Sequence, residues 1–133
     1  MTHTILVVED SQPNRELLCD WLESEGFEAI YAKNLEQSYA AFEIRAPDAV
    51  LLDVQLGRED GLILAKWIRQ RESLRHIPVI AVTAHAMVTD QERVIRAGCD
   101  TCLSKPIDFK SLGQQLRLWL SRANQIQVPS DHQ

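Results

Sequence analysis

The chain is predicted to be an α/β protein in which a parallel sheet carries helices on both faces, and three observations predict it. Two hydrophobic periods alternate along its 133 residues. Short runs rich in Val, Ile and Leu, such as ILVV at 5–8 and AVLL at 49–52, read as strands buried on both faces. Between them lie stretches with apolar residues at helical spacing, an interval that implies right-handed crossovers between parallel strands.

The elements follow in order. The first strand spans 4–9, and Pro13 suits a first helical position with Ser11 or Gln12 as cap. Leu17, Leu18, Trp21 and Leu22 give the first helix its apolar stripe, and Gly26 ends it. Residues 27–32 alternate more than the first strand does, which places this second strand nearer a sheet edge. Leu35, Tyr39, Phe42 and Ala46 mark the second helix, stopped by Pro47. A strand at 48–53 leads into a loop through Gly57 and Gly61 and then a helix to about Arg71. The fourth strand is 77–83 and the fourth helix 88–97, closed by Gly98. A strand at 100–104 and an amphipathic helix from Asp108 to Ala123 complete the set. Leu112, Leu116, Trp119 and Leu120 form the buried stripe of that last helix. The tail NQIQVPSDHQ is polar, patternless and expected to be disordered.

Composition excludes several classes. A 45% apolar share with 25% charged residues is that of a soluble globular chain, and its length suits one domain. The net charge of −5 argues against a nucleic-acid surface, which needs clustered Lys and Arg. No apolar stretch reaches membrane-spanning length, and MTHTILVVED lacks the flank and cleavage site of a signal peptide. Three cysteines without framework spacing fit a reducing cytosol, so a cytoplasmic protein is expected.

The functional signal is where the apolar runs stop. Glu9 and Asp10 follow the first strand, Asp53 the third, Thr83 the fourth and Lys105 the fifth. In an open parallel sheet the strand C-termini share one edge, and ligands collect there. Taken singly, each of these residues reads as an ordinary cap or surface group. Together they bring three acids, a hydroxyl and an amine to one place, which solvation does not explain. Crowded carboxylates repel, and hard oxygen donors with few protein ligands match Mg²⁺. Asp53 beside such an ion is a nucleophile able to form an acyl phosphate. Lys105 would supply a point charge to the phosphoryl oxygens and Thr83 a hydrogen bond.

The motifs VVEDSQPNRELL, LLDVQLGREDG, VIAVTAHAM and AGCDTCLSKPI resemble, in order and spacing, the receiver domain of bacterial two-component response regulators (CheY-like) over about residues 4–123. The resemblance implies a flavodoxin-like (βα)5 fold, a doubly wound five-stranded parallel sheet of order 2-1-3-4-5, with the receiver at 1–123 and a disordered tail at 124–133. It implies a phosphoacceptor rather than an enzyme proper, one that assists its own phosphorylation and dephosphorylation. Asp53 would accept a phosphoryl group from a sensor histidine kinase or a histidine phosphotransfer protein. Asp10 would ligate Mg²⁺ directly, Glu9 through water, with Asp53 and the Gln55 carbonyl as the other protein ligands and Mn²⁺ an acceptable substitute. Thr83 and Lys105 would be the switch hydroxyl and the phosphate-binding lysine, and the Lys105–Pro106 bond would be cis. Output would be a phosphorylation-dependent contact with an unidentified downstream protein, without a DNA-binding output domain, nucleic acid or membrane. The protein would be a monomer or a weak phosphorylation-dependent homodimer. VTAHAM is similar in style to receivers of hybrid kinases and of DivK-like single-domain regulators.

Some positions depart from the pattern. Cys102 stands where the family usually has the Tyr or Phe that swings inward with Thr83, a difference expected to weaken or reroute the switch. Gly57 replaces a common proline and loosens the loop after Asp53. Gln55 and His85 occupy positions that tune the acyl-phosphate lifetime. Cys99 and Cys102 form a CxxC, but no second pair completes a zinc site, and in an extended segment they would face opposite ways. His3, His76, His85 and His132 show no ligand spacing. Trp67, Ile63 and Leu64 make the third helix more apolar than one face needs, and core packing is the expected reason. Two other classes compete. An aspartyl-nucleophile phosphohydrolase of haloacid-dehalogenase type would place a second acid two residues after the nucleophile, where this chain has Gln55. A flavodoxin would need a Ser/Thr/Gly-rich phosphate loop where this chain has Glu9-Asp10.

Overall fold

The computed structural model describes residues 2–84 and 87–127, with the side chains of 124–127 excepted. The order of elements is β1 (Thr4–Val8), α1 (Gln12–Ser24), β2 (Glu28–Ala32), α2 (Leu35–Ile44), β3 (Ala49–Asp53), β4 (Gln55–Leu56), β5 (Glu59–Asp60), α3 (Leu62–Gln70), β6 (Val79–Thr83), α4 (Val88–Arg96), β7 (Thr101–Ser104) and α5 (Phe109–Gln127). Five strands form one parallel sheet in the order β2-β1-β3-β6-β7. Counted without the small hairpin β4–β5, this is the 2-1-3-4-5 order of the flavodoxin-like fold.

Period-two alternation along the strands splits the core into two layers. Ile5, Val7, Leu51 and Ile80 face Leu18 and Leu22 of α1 and Leu112, Leu116 and Leu120 of α5. Leu6, Val8, Val50, Leu52 and Ala81 face the other way, onto Phe42, Leu64, Ile68 and Val94 of α2, α3 and α4. Strands β1, β3 and β6 are buried along their whole length, which is why their sequences show no polar alternation. β2 lies at the sheet edge, and its half-exposed pattern explains its alternation.

Several expectations need correction. The second helix ends at Ile44, and Ala46 is exposed outside it because Arg45 is already extended. Ser11 is the N-cap of α1 but makes no side-chain cap bond; its N–H instead donates to Glu9. Residues 55–60, read as plain loop, form an antiparallel hairpin that turns through Gly57 at φ 59°. Two-residue strands leave no periodicity to read. α5 runs to Gln127 rather than Ala123, so the first part of the expected disordered tail is helical. Residues 128–133, with His132, lie outside the described residues.

Trp67 packs against Tyr39 and Phe42, with ring centroids 4.9 and 5.2 Å away. Leu64 is fully buried, whereas Ile63 is exposed, so the apolar excess of α3 is only partly core. Cys99 precedes β7, just after the turn at Gly98, so strand alternation does not separate it from Cys102. Both pack against the α2/α3/α4 layer, contrary to the opposite-face expectation. Both are free thiols, and burial pushes Cys99 up to about 12 and raises Cys102 as well, which disfavours the thiolate that redox or metal chemistry requires.

The sheet end opposite the site is tied by Arg69. Its guanidinium donates to the carbonyls of Gly98, Arg75 and Ile77 at 2.7–3.0 Å and pairs with Asp100 at 2.7 Å. Asp100 also accepts from Val79 N–H. Arg69→Ala would leave three carbonyls and a half-buried carboxylate without this partner. It is expected to lower unfolding free energy by about 2–4 kcal/mol, a loss that a urea titration measures.

Candidate functional site

The five strand-end residues do meet. Glu9 and Asp10 follow β1, Asp53 closes β3, Thr83 closes β6 and Lys105 follows β7. All line one cleft of about 530 Å³ at the C-terminal edge of the sheet. One carboxylate oxygen from each of Glu9, Asp10 and Asp53 lies within 4.8 Å of the others. Lys105 Nζ sits 2.9 Å from Asp53 Oδ2 and 3.6 Å from Glu9 Oε1. Asp53 Oδ1 accepts the Gln55 N–H at 3.1 Å, which orients the carboxylate toward the cleft. Thr83 is buried at the cleft wall. The Lys105–Pro106 bond is cis. Gln55 lines the cleft, whereas Cys102 packs into the α2/α3/α4 layer. His85 lies outside the described residues.

The acids differ in setting. Asp10 is exposed, but Glu9 keeps only 3% of its surface, and burial pushes its carboxyl up from 4.5 to about 7. The Ser11 N–H pulls against that rise and the Asp53 charge adds to it. Burial also works against the Lys105 ammonium, yet hydrogen bonding and charge from Asp53, then Glu9, outweigh it and raise its pKa. The donor set is all oxygen, anionic and held together against its own repulsion, which fits a hard divalent cation such as Mg²⁺.

One consequence is measurable in chelator. Between pH 4.5 and about 7 the folded state holds a proton on Glu9 that the unfolded state releases, so this group's contribution to stability falls as pH rises through that window and stays low above it. Glu9→Gln removes the penalty. The variant is expected to be more stable than wild type at pH 8 in chelator by roughly 1–3 kcal/mol, with the gap closing toward pH 5. Denaturant titrations at the two pH values check it.

Some contributors to the site had no motif to announce them. Arg15, in the first turn of α1, donates to the carbonyls of both Glu9 and Asp10. A cation at a helix N-terminus opposes the macrodipole, and that misfit was the available signal. The hairpin after Asp53 is moored on two sides: Glu59 accepts the Leu35 N–H at the start of α2, and Asp60 pairs with Arg93 of α4 at 3.8 Å. Gly61 packs so closely that a Cβ there would lie 2.2 Å from the Asp53 carbonyl oxygen.

The model of the response regulator receiver domain matches residues 5–117. The chain belongs to the response regulator receiver domain family. This receiver is 41% identical over 124 residues to the polar-differentiation response regulator DivK of Brucella anthropi, covering 92% of this chain and all of that protein. DivK of Brucella ovis is 38% identical over 123 residues with the same coverage. Among solved structures, the receiver domain of a sensor histidine kinase of Pseudomonas aeruginosa, with magnesium coordinated in its active-site cleft, is similar at TM-score 0.82. It is 31% identical, over 91% of this chain and 99% of that one. This receiver is thus a two-component phosphoacceptor module, DivK-like in sequence, whose phosphodonor is a histidine kinase or phosphotransfer protein. No helix among the described residues is long and apolar enough to cross a membrane.

Proposed function

We propose that Asp53 is the phosphoacceptor and that the receiver signals through a phosphorylation-dependent contact with a partner protein. The carrying observation is the three-carboxylate cluster within 4.8 Å with Lys105 on Asp53 at 2.9 Å. An Asp53 oxygen attacks phosphorus while the phosphorus–nitrogen bond of a phosphohistidine donor breaks, its electron pair returning to the imidazole. Lys105, 2.9 Å from Asp53, would hold the new phosphoryl oxygens, and Thr83 would hydrogen-bond one of them. Glu9, Asp10, Asp53 and the Gln55 carbonyl would hold Mg²⁺, or Mn²⁺ in its place, with Glu9 acting through water. Such an ion supplies charge neutralisation for the incoming phosphoryl group. The receiver is not an enzyme acting on a separate substrate, although the same residues assist transfer to Asp53 and its hydrolysis.

Cys102 offers no ring to fill the space vacated when Thr83 engages phosphate, so coupling to the α4 surface is weaker than with an aromatic residue. The working form is a cytoplasmic monomer or a weak homodimer formed on phosphorylation. A phosphohydrolase reading has no support, because Gln55 stands where its general acid would be. The direct test is incubation with acetyl phosphate and Mg²⁺, followed by peptide mapping. The label is expected on the peptide carrying Asp53 and absent in chelator; a label elsewhere would refute the assignment.

Gln55 and His85 are proposed to set how fast water reaches the acyl phosphate. Gln55→Ala and His85→Ala are each expected to change the dephosphorylation rate by about 3- to 10-fold, below the roughly 100- to 10,000-fold of general acid–base catalysis, as suits side chains that only steer water. Unchanged decay of the phosphorylated protein in both variants would end that idea.

A further inference from the structure

Arg15 is a charged residue in an unfavourable place. It is the fourth residue of α1, where the helix end repels cations, and only 7% of it is exposed. What holds it there is specific. One guanidinium nitrogen donates to two successive carbonyls, those of Glu9 and Asp10, at 3.2 Å each. The guanidinium carbon lies 5.0 Å from the centre of the Tyr31 ring, on edge strand β2. Tyr31 is 56% exposed, so the ring forms the outer wall behind the acidic turn. Two carboxylates that must converge on one ion are therefore carried by a turn whose backbone is gripped from behind.

We propose that Arg15 and Tyr31 form a clamp that positions the Glu9–Asp10 turn, so that the divalent-cation affinity of the cleft depends on the guanidinium and the ring behind it. The inference rests on the metal-binding reading of the cleft. Arg15 is a positioning residue: it acts through the backbone of the ligand-bearing turn. A lysine ammonium cannot stack flat on the ring as a planar guanidinium does, so charge alone does not replace it.

Calorimetric titration of Mg²⁺ into the full chain tests this, alongside thermal unfolding with chelator and with Mg²⁺. Arg15→Met and Arg15→Lys are each expected to bind Mg²⁺ about tenfold more weakly or worse, the range for lost outer-shell support. Tyr31→Ala is expected to lose a few-fold in affinity, and Tyr31→Phe to recover it because the ring remains. The midpoint gained on adding Mg²⁺ is expected to shrink in Arg15→Met, whereas a merely structural role lowers both midpoints alike and leaves that gain intact. Wild-type affinity in folded Arg15→Met or Arg15→Lys, or an undiminished gain, overturns the clamp. Should Arg15→Met not fold, equal affinities in Tyr31→Ala and wild type overturn it. A wild-type chain that binds no Mg²⁺ defeats the reading of the cleft itself, and the clamp with it.

Discussion

Asp53→Asn is expected to take up no phosphoryl group from acetyl phosphate and Mg²⁺ under conditions that label the wild type. The amide oxygen is a poor nucleophile, and the loss should be complete within the sensitivity of intact-mass measurement. The fold should survive. Asp53 lies beside Glu9 and Asp10 within 4.8 Å, so removing its charge relieves repulsion and offsets the lost pairing with Lys105. Burial first and the neighbouring Asp53 charge after it help push Glu9 up to about 7, so one fewer anion makes the cleft easier to keep folded in chelator. A cooperative thermal transition at or above the wild-type midpoint, with no added mass, is the expected pair of results. Wild-type labelling of Asp53→Asn would remove the acceptor from the scheme.

Gly61→Ala is expected to damage both stability and phosphorylation. The backbone at Gly61 has φ −59°, so the demand for glycine is one of space rather than of dihedral angle. A Cβ would fall 2.2 Å from the Asp53 carbonyl oxygen and 3.0 Å from that of Val54. Both contacts are backbone, and backbone cannot rotate away. The Gly61 N–H also donates to the Val54 carbonyl at 2.7 Å, so the hairpin would have to part from β3 or drag Asp53 with it. A cost of about 2–4 kcal/mol follows from such overpacking. Displacing a reacting carboxylate by about 1 Å costs roughly 100-fold in rate. Urea titration and the initial rate of acetyl phosphate labelling measure the two effects. A variant with wild-type values for both would show that the hairpin yields freely.

The strand ends were legible because β1, β3 and β6 are buried on both faces, and so each apolar run stops where the chain leaves the sheet. The helices were legible where an apolar stripe met a strong stop, as with Leu18 and Leu22 before Gly26. Less of the 55–60 segment could be read, since its two-residue strands depend on Gly57 turning and on moorings to Leu35 and Arg93 far along the chain. The same holds for Cys99 and Cys102, whose shared side follows from the turn at Gly98 and not from their spacing.

What the order of residues determined unaided was the alternation of strands and helices and the chemistry waiting at each strand terminus, because both are written in local periodicity and residue type. Tertiary structure alone decided how that chemistry is tuned. It buried Glu9 while leaving Asp10 in water, seated Lys105 on Asp53, and set Arg15 behind the acidic turn. Burial and distance are properties of the packed chain, and they set whether a carboxylate is charged and where it points.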